Sequence, residues 1–219
     1  MAANDALRIA FRGRHAVIRI AVLASGRGSN LEALFETFAG RADARIVLVA
    51  SDRAAAQALE RASARGVETA VIAPDDEAAM LALLERARVD WIVLAGYLRR
   101  IPVGVVRRYR NRILNIHPAL LPAHGGKGMY GERVHRAVIE AGEKTSGASV
   151  HLVDEEYDRG SVVAQVEVPV EPGDTPATLA ARVLEVEHWL LPAVVVAAAE
   201  GRIRVEGGRA WIEEERGDR

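Results

Sequence analysis

Asn115 and His117 stand two residues apart in "LNIHPALLPAHGGKG", residues 114–128, after an apolar run and before a bend rich in proline and glycine. On an extended segment that spacing points both side chains to one face. A carboxamide N–H and an imidazole converging on one spot can stabilise a developing oxyanion and pass a proton. The same pair also has a structural reading, a histidine satisfied by backbone groups and an asparagine closing a turn before Pro118. Residues 24–30, "ASGRGSN", contain Gly26, Gly28, Ser29 and Asn30. Glycines there let backbone N–H groups point into one concavity ahead of a helix, a setting suited to phosphate. The competing reading is a tight turn with Ser29 or Asn30 capping that helix. A dinucleotide fingerprint would need glycine where Leu31 stands, although Asp52 falls where a ribose-binding acid belongs. The acidic loop "HLVDEEYDRG", residues 151–160, offers a carboxylate that could orient and charge a histidine, or one that is merely solvated.

Two other patterns lead nowhere. "GGKG" has Gly128 where a phosphate loop requires Ser or Thr, and Leu121 where its first glycine belongs, so that reading is discarded. His124, His135 and His151 fall on a bend, a helix and a strand without zinc spacing, and no metal site is expected.

The elements that must position these residues follow from periodicity. From residue 18 onward, short β-branched runs alternate with longer helical segments, the signature of parallel strands joined by crossover helices. Strands are expected at "VIRIAVLAS", "ARIVLVAS", "ETAVIA", "DWIVLAG" and "NRILNIH", with helices at "LEALFETFA", "RAAAQALERASARG" and "DDEAAMLALLERARV". Gly66 is placed to end the second helix in the left-handed conformation. Beyond the bend come a helix at "ERVHRAVIEAG" and two strands, "ASVHLV" and "SVVAQVEVPV", whose short link makes them antiparallel. A long helix, "TPATLAARVLEVEHWLLPAVVVAAAEG", should bend near Pro192, and "RIRVEGGRAWIE" should form a hairpin turning at Gly207-Gly208. The fold class is α/β, with a parallel N-terminal half and a mixed or antiparallel C-terminal half.

The chain has 219 residues, half of them hydrophobic, and a formal net charge of -1. That suits a substantial core and gives no reason to expect a nucleic-acid partner or an anionic membrane. Without cysteine there is no disulfide framework and no thiolate nucleophile. No apolar run approaches a membrane span, and the opening residues lack the apolar stretch of a signal peptide, so the expectation is a cytoplasmic protein. Arginine supplies nearly all the basic residues, Lys127 and Lys144 being the only lysines.

Taken together, "ASGRGSNLEAL", "LAGYLRRI", "ILNIHPALLP", "GASVHLVDEEYDRG" and "RVLEVEH" resemble the phosphoribosylglycinamide formyltransferase family, the folate-dependent transformylases of purine synthesis. The similarity runs from about Ile18 to the terminal hairpin. It implies a Rossmann-like formyltransferase fold in one domain over 18–219, with a phosphate-binding half at about 18–110 and a folate and catalytic half at about 111–219. Residues 1–17 are left as an N-terminal extension, with disorder expected there. It implies that Asn115, His117 and Asp158 are catalytic, with Ser149 ordering a water beside them. Gly26, Gly28, Ser29 and Asn30 would hold the substrate phosphate, and Glu187 its ribose or amine end. The co-substrate 10-formyltetrahydrofolate would lie against Leu98, Arg99, Arg100 and Ile101, with backbone of Val153, Asp154 and Asp158 edging the pterin. The partners implied are glycinamide ribonucleotide and folate, on a monomer or homodimer. Two departures stand out: "HGGKGMYGE" after Ala123 is longer than in many relatives, and Leu184 occupies a position where relatives can carry a polar phosphate contact. Other readings are a formyltetrahydrofolate hydrolase, the methionyl-tRNA formyltransferase, whose extra basic domain this length and charge do not fit, and a non-catalytic phosphate- or nucleotide-binding module.

Overall fold

The alternating runs assemble into one seven-stranded sheet in the order β3-β2-β1-β4-β5-β6-β7, in a computed structural model that describes residues 17–214. The strands are β1 (Ile18–Leu23), β2 (Ala44–Ser51), β3 (Glu68–Val71), β4 (Trp91–Leu94), β5 (Ile113–His117), β6 (Thr145–Leu152) and β7 (Val162–Pro169). The helices are α1 (Ser29–Phe38), α2 (Gln57–Ser63), α3 (Glu77–Arg86), α4 (Val103–Arg108), α5 (Glu132–Glu140) and α6 (Pro176–Ala199), and a hairpin of β8 (Ile203–Glu206) and β9 (Arg209–Ile212) follows. Most of the proposed extension, residues 1–16, lies outside the described residues.

Burial explains why the central strands read as continuous apolar runs. Alternate residues of β1 face opposite layers: Ile20 and Val22 pack with α1 and α6, whereas Ala21 and Leu23 pack with α3 and α4. A strand covered on both faces has no polar side to display. β1 pairs in parallel with β2 on one side and β4 on the other, so the crossovers leave in opposite directions from their carboxyl ends. That switch point opens the crevice in which α/β sheets hold ligands. β4 pairs in parallel with β5, but β6 returns antiparallel to β5, and β7 antiparallel to β6.

Several expectations shift in detail. α1 begins at Ser29 with Gly28 as N-cap and no side chain capping it, so neither Ser29 nor Asn30 takes the capping role. α2 starts later than expected because Arg53 to Ala56 close a turn, the Ala56 N–H donating to the Arg53 carbonyl at 3.1 Å. Gly66 is left-handed at φ 69, as expected. β6 begins three residues early, its Thr145, Ser146 and Gly147 drawn into pairing with β7. α6 starts in a capping box of Thr175 and Thr178 and runs unbroken through Pro192 over 24 residues. The hairpin turns at Gly207 and Gly208, both at positive φ (57 and 77), as a tight two-residue turn requires. α4 is an element that periodicity missed.

Candidate active site

The antiparallel return of β6 sets Asn115 opposite His151 and His117 opposite Ser149. Directly opposed residues share a face, so four polar side chains form one patch at the carboxyl end of β5. The Asn115 carboxamide Nδ2 donates to His151 Nε2 at 2.9 Å. His151 Nδ1 donates to the Leu152 carbonyl at 2.8 Å, which fixes its tautomer. The second Nδ2 proton of Asn115 has only a long contact, 3.5 Å to Asp158 Oδ1, and is the one free for a ligand.

Asp158 reaches this patch from the acidic loop between β6 and β7. Its backbone is left-handed at φ 54, a conformation that aspartate tolerates better than most residues. One carboxylate oxygen lies 3.6 Å from His117 Nδ1 and accepts the Gly126 N–H at 2.8 Å; the other lies 3.5 Å from His151 Nε2. Burial pushes the Asp158 carboxyl up, but the neighbouring His151 and His117 rings and the Gly126 N–H outweigh it and hold the pKa below the ordinary value. The group is therefore an anion at neutral pH. His117 Nε2 donates to the His124 carbonyl at 3.0 Å. Burial lowers the His117 pKa against the opposing pull of Asp158, leaving a neutral imidazole with an anion beside it, ready to take a proton.

Ser149 is fully buried. Its hydroxyl donates to the Ala119 carbonyl at 2.5 Å and accepts from the Leu121 N–H at 3.0 Å and from Gln165 Nε2 at 2.8 Å. Those partners occupy the hydroxyl in fastening the bend after His117.

At the other end of the crevice the uncapped first turn of α1 leaves backbone N–H groups facing outward. Arg27 and Asn30 from this loop line the cavity, whereas Gly26, Gly28 and Ser29 do not. Asn30 Nδ2 donates to Glu187 Oε2 at 2.7 Å, and Asn30 Oδ1 is buried without a partner. Glu187 is buried, which raises its pKa against the Asn30 hydrogen bond. Leu184 lines the same wall of α6 beside Ala177, Ala180 and Ala181, so this wall carries no polar phosphate contact.

Leu98, Arg99, Arg100, Ile101, Val153 and Asp154 all line the third side. Their segments are pinned: Arg99 Nε donates to Asp52 at 2.9 Å, Arg100 to the Glu155 carbonyl, and Arg107 Nε to Glu155 at 3.0 Å. The Tyr97 phenol beside them is pushed up to about 12 by burial and the Asp52 charge. All three segments singled out in the sequence thus meet in one cavity of about 900 Å³, at the large end of small-molecule sites and roomy enough for two substrates. Among the described residues no group of three or more His, Asp or Glu side chains is arranged to hold a metal ion.

Residues 18–195 match the family described as Formyl transferase. The chain belongs to the formyl transferase family. It is 43% identical over 195 residues to phosphoribosylglycinamide formyltransferase, chloroplastic, of Arabidopsis thaliana, covering 85% of this chain and 67% of that protein. It is 36% identical to phosphoribosylglycinamide formyltransferase of Haemophilus influenzae, covering 89% of this chain and 93% of that protein. The crystal structure of glycinamide ribonucleotide transformylase 1 from Symbiobacterium toebii superposes with a TM-score of 0.84 at 40% identity, covering 92% of this chain and 96% of that one. Other curated relatives are much longer, and the chain spans as little as 14% of their length.

Within this formyl transferase, sequence reasoning missed His151 and Arg27. His151 was legible only as a strand residue, because its place beside Asn115 depends on the β5–β6 register. Arg27 lies inside the quoted loop, and its charge next to an expected phosphate was the available signal.

Proposed function

We propose that this protein transfers the formyl group of 10-formyltetrahydrofolate to the amine of glycinamide ribonucleotide, a step of purine biosynthesis. The observation that carries the reading is the meeting of Asn115, His117 and Asp158 in the cavity that the uncapped α1 terminus and the Asn30–Glu187 pair also border. The first group suits acyl transfer to an amine, and the second suits a phosphorylated sugar.

The residues act as follows. The substrate amine attacks the formyl carbon, and the carbonyl becomes a tetrahedral oxyanion. The free Nδ2 proton of Asn115 donates to that oxygen, and His117, once it has taken the amine's proton beside ionised Asp158, stabilises the same charge as an imidazolium. The ammonium formed on attack must lose a proton, and the folate nitrogen must gain one before the C–N bond breaks. His117 and Asp158 carry that proton, directly or through a water, with no covalent enzyme intermediate. Ser149 keeps the bend in place beside them. Gly26, Gly28, Ser29 and Asn30 hold the phosphate through backbone N–H groups at the α1 terminus, and the buried acceptors on Asn30 and Glu187 take the ribose hydroxyls or the amine. Leu98 to Ile101 and the backbone of Val153 and Asp154 take the folate, with apolar wall on one side and peptide edge on the other.

Residues 18–219 then work as one domain, with the phosphate loop after β1 and the folate segment after β4 leaving from neighbouring strands of one sheet. We take the working assembly to be a monomer or a homodimer. Among the described residues no helix is long and apolar enough to cross a membrane, and we assign the reaction to the cytoplasm.

The test is formyl transfer from 10-formyltetrahydrofolate to glycinamide ribonucleotide, followed by the absorbance change on folate release, with a control lacking the amine. Amine-dependent turnover supports the transferase. Release without amine would instead indicate a formyltetrahydrofolate hydrolase, and no release would leave a binding module.

A further inference from the structure

Asp52 directly follows β2, where a dinucleotide-binding protein would place a ribose-binding acid. Its side chain is only 1% exposed, and it does not line the cavity. One oxygen accepts from Arg99 Nε at 2.9 Å, with Arg53 Nε farther off at 3.8 Å, and the other oxygen has no partner. A buried carboxylate without full pairing is costly, so its presence needs a purpose beyond packing. Part of it is the loop after β4: Asp52 hydrogen-bonds the Ser25 hydroxyl, which accepts the Leu98 N–H at 3.0 Å, and the Ser25 N–H donates to the Gly96 carbonyl at 3.0 Å.

What Asp52 adds beyond that is control of one side chain. Arg99 is 52% exposed and lines the cavity. Because it is gripped through Nε, both of its Nη groups remain without a protein partner among the described residues. A free arginine at such a lip samples many rotamers, and ordering it on binding weakens affinity. Gripped from behind, it presents a fixed fork that matches a carboxylate.

We propose that Asp52 is a positioning residue that fixes the Arg99 fork for the glutamate carboxylates of the folate. This rests on the folate reading given above. It predicts a contribution to folate affinity through the tail alone, with none to the chemical step.

The experiment compares D52N, R99M and the double variant by the Kd for tetrahydrofolate and for tetrahydropteroate, which lacks the glutamate, alongside kcat and the KM for the amine. We expect D52N to weaken tetrahydrofolate binding about fivefold, a coupling within the range for neighbouring groups. Its kcat and amine KM should stay near wild type and its tetrahydropteroate affinity unchanged. R99M should lose at least as much, and the double variant no more than R99M. An unchanged or tighter Kd in D52N would overturn the assignment. So would an equal loss for both ligands, which would mean a disturbed loop, or an additive double variant. Because binding is read apart from turnover, a wild type that binds the folate but transfers nothing to the amine would overturn the transferase reading and leave Asp52 to be judged by its Kd.

Discussion

Asp158 places one oxygen near His117 and the other near His151, so its charge serves two imidazoles at once. Asp158→Asn keeps the shape and removes the charge. It should lower kcat about a hundredfold, about 3 kcal/mol of transition-state stabilisation. His117→Ala should cost as much, and the double variant little more, because the groups act as a unit; single-turnover rates on purified variants decide this. Wild-type turnover in either would remove that residue from the mechanism. Glu187 makes a different prediction. Burial raises its folded pKa above the ordinary 4.5, so the stability tied to its protonated form is fully present below 4.5 and lost as pH rises through the folded value. At pH 7.5 the wild type bears that loss. Glu187→Gln can still accept from Asn30 and should melt higher, each 1 kcal/mol being worth about 3 °C in a chain of this size. The gain should vanish in melts at acid pH, while the KM for the amine rises. At this scale the sequence was legible wherever spacing alone sufficed: Asn115 and His117 share a face because they are two apart on a strand. Asp158 was one acid among several until resemblance singled it out, and His151 needed a register that no single strand carries.

The entry to α1 tests how an element supports the site. Gly28 adopts φ 74, and a Cβ there would lie 2.9 Å from both Cα and Cβ of Ala58. Gly28→Ala therefore combines left-handed strain, about 1–2 kcal/mol, with a clash against the backbone of α2. Gly26 has nothing within 4 Å of an added Cβ. Thermal melts should show Gly28→Ala clearly destabilised and Gly26→Ala close to wild type; equal melting points would show that the loop yields at no cost. Ser29→Asp belongs here too. A second negative charge at the helix N-terminus leaves the dipole satisfied but repels a phosphate, so the KM for the phosphorylated substrate should rise severalfold with the fold intact. Long periodic elements were legible from sequence, whereas α4 was not. "VGVVRR" begins after Pro102 and contains Gly104 and three β-branched valines, all poor helix formers. Packing decides it instead. Val105 and Val106 are buried, and Glu77 of α3 accepts the Gly104 N–H at 2.7 Å, supplying from another helix the cap that α4 lacks.

Across the whole molecule, three buried or partly buried histidines should set the acid limit of the fold. Desolvation lowers the pKa of His117, His135 and His188 below the ordinary 6.5. The neighbours of His117 and His135 are mixed in sign, and His188 has one acid. Asp158 opposes the shift at His117 while His124 and His151 add to it, Glu132 opposes it at His135 while His117 adds to it, and Glu36 opposes it at His188. A lowered folded pKa means that the unfolded chain binds more protons between the folded value and 6.5. The associated stability is complete above 6.5 and drains away as pH falls. Glu187 runs the other way, so the histidine contribution is read in the Glu187→Gln background, where the melting temperature should fall between pH 7.5 and pH 5.5. His188 has no part in the proposed chemistry, and its Nε2 is buried without a partner. His188→Gln should flatten that fall without altering kcat, whereas a melting curve that is level or rising toward acid would show that the histidines are solvated when the chain is folded.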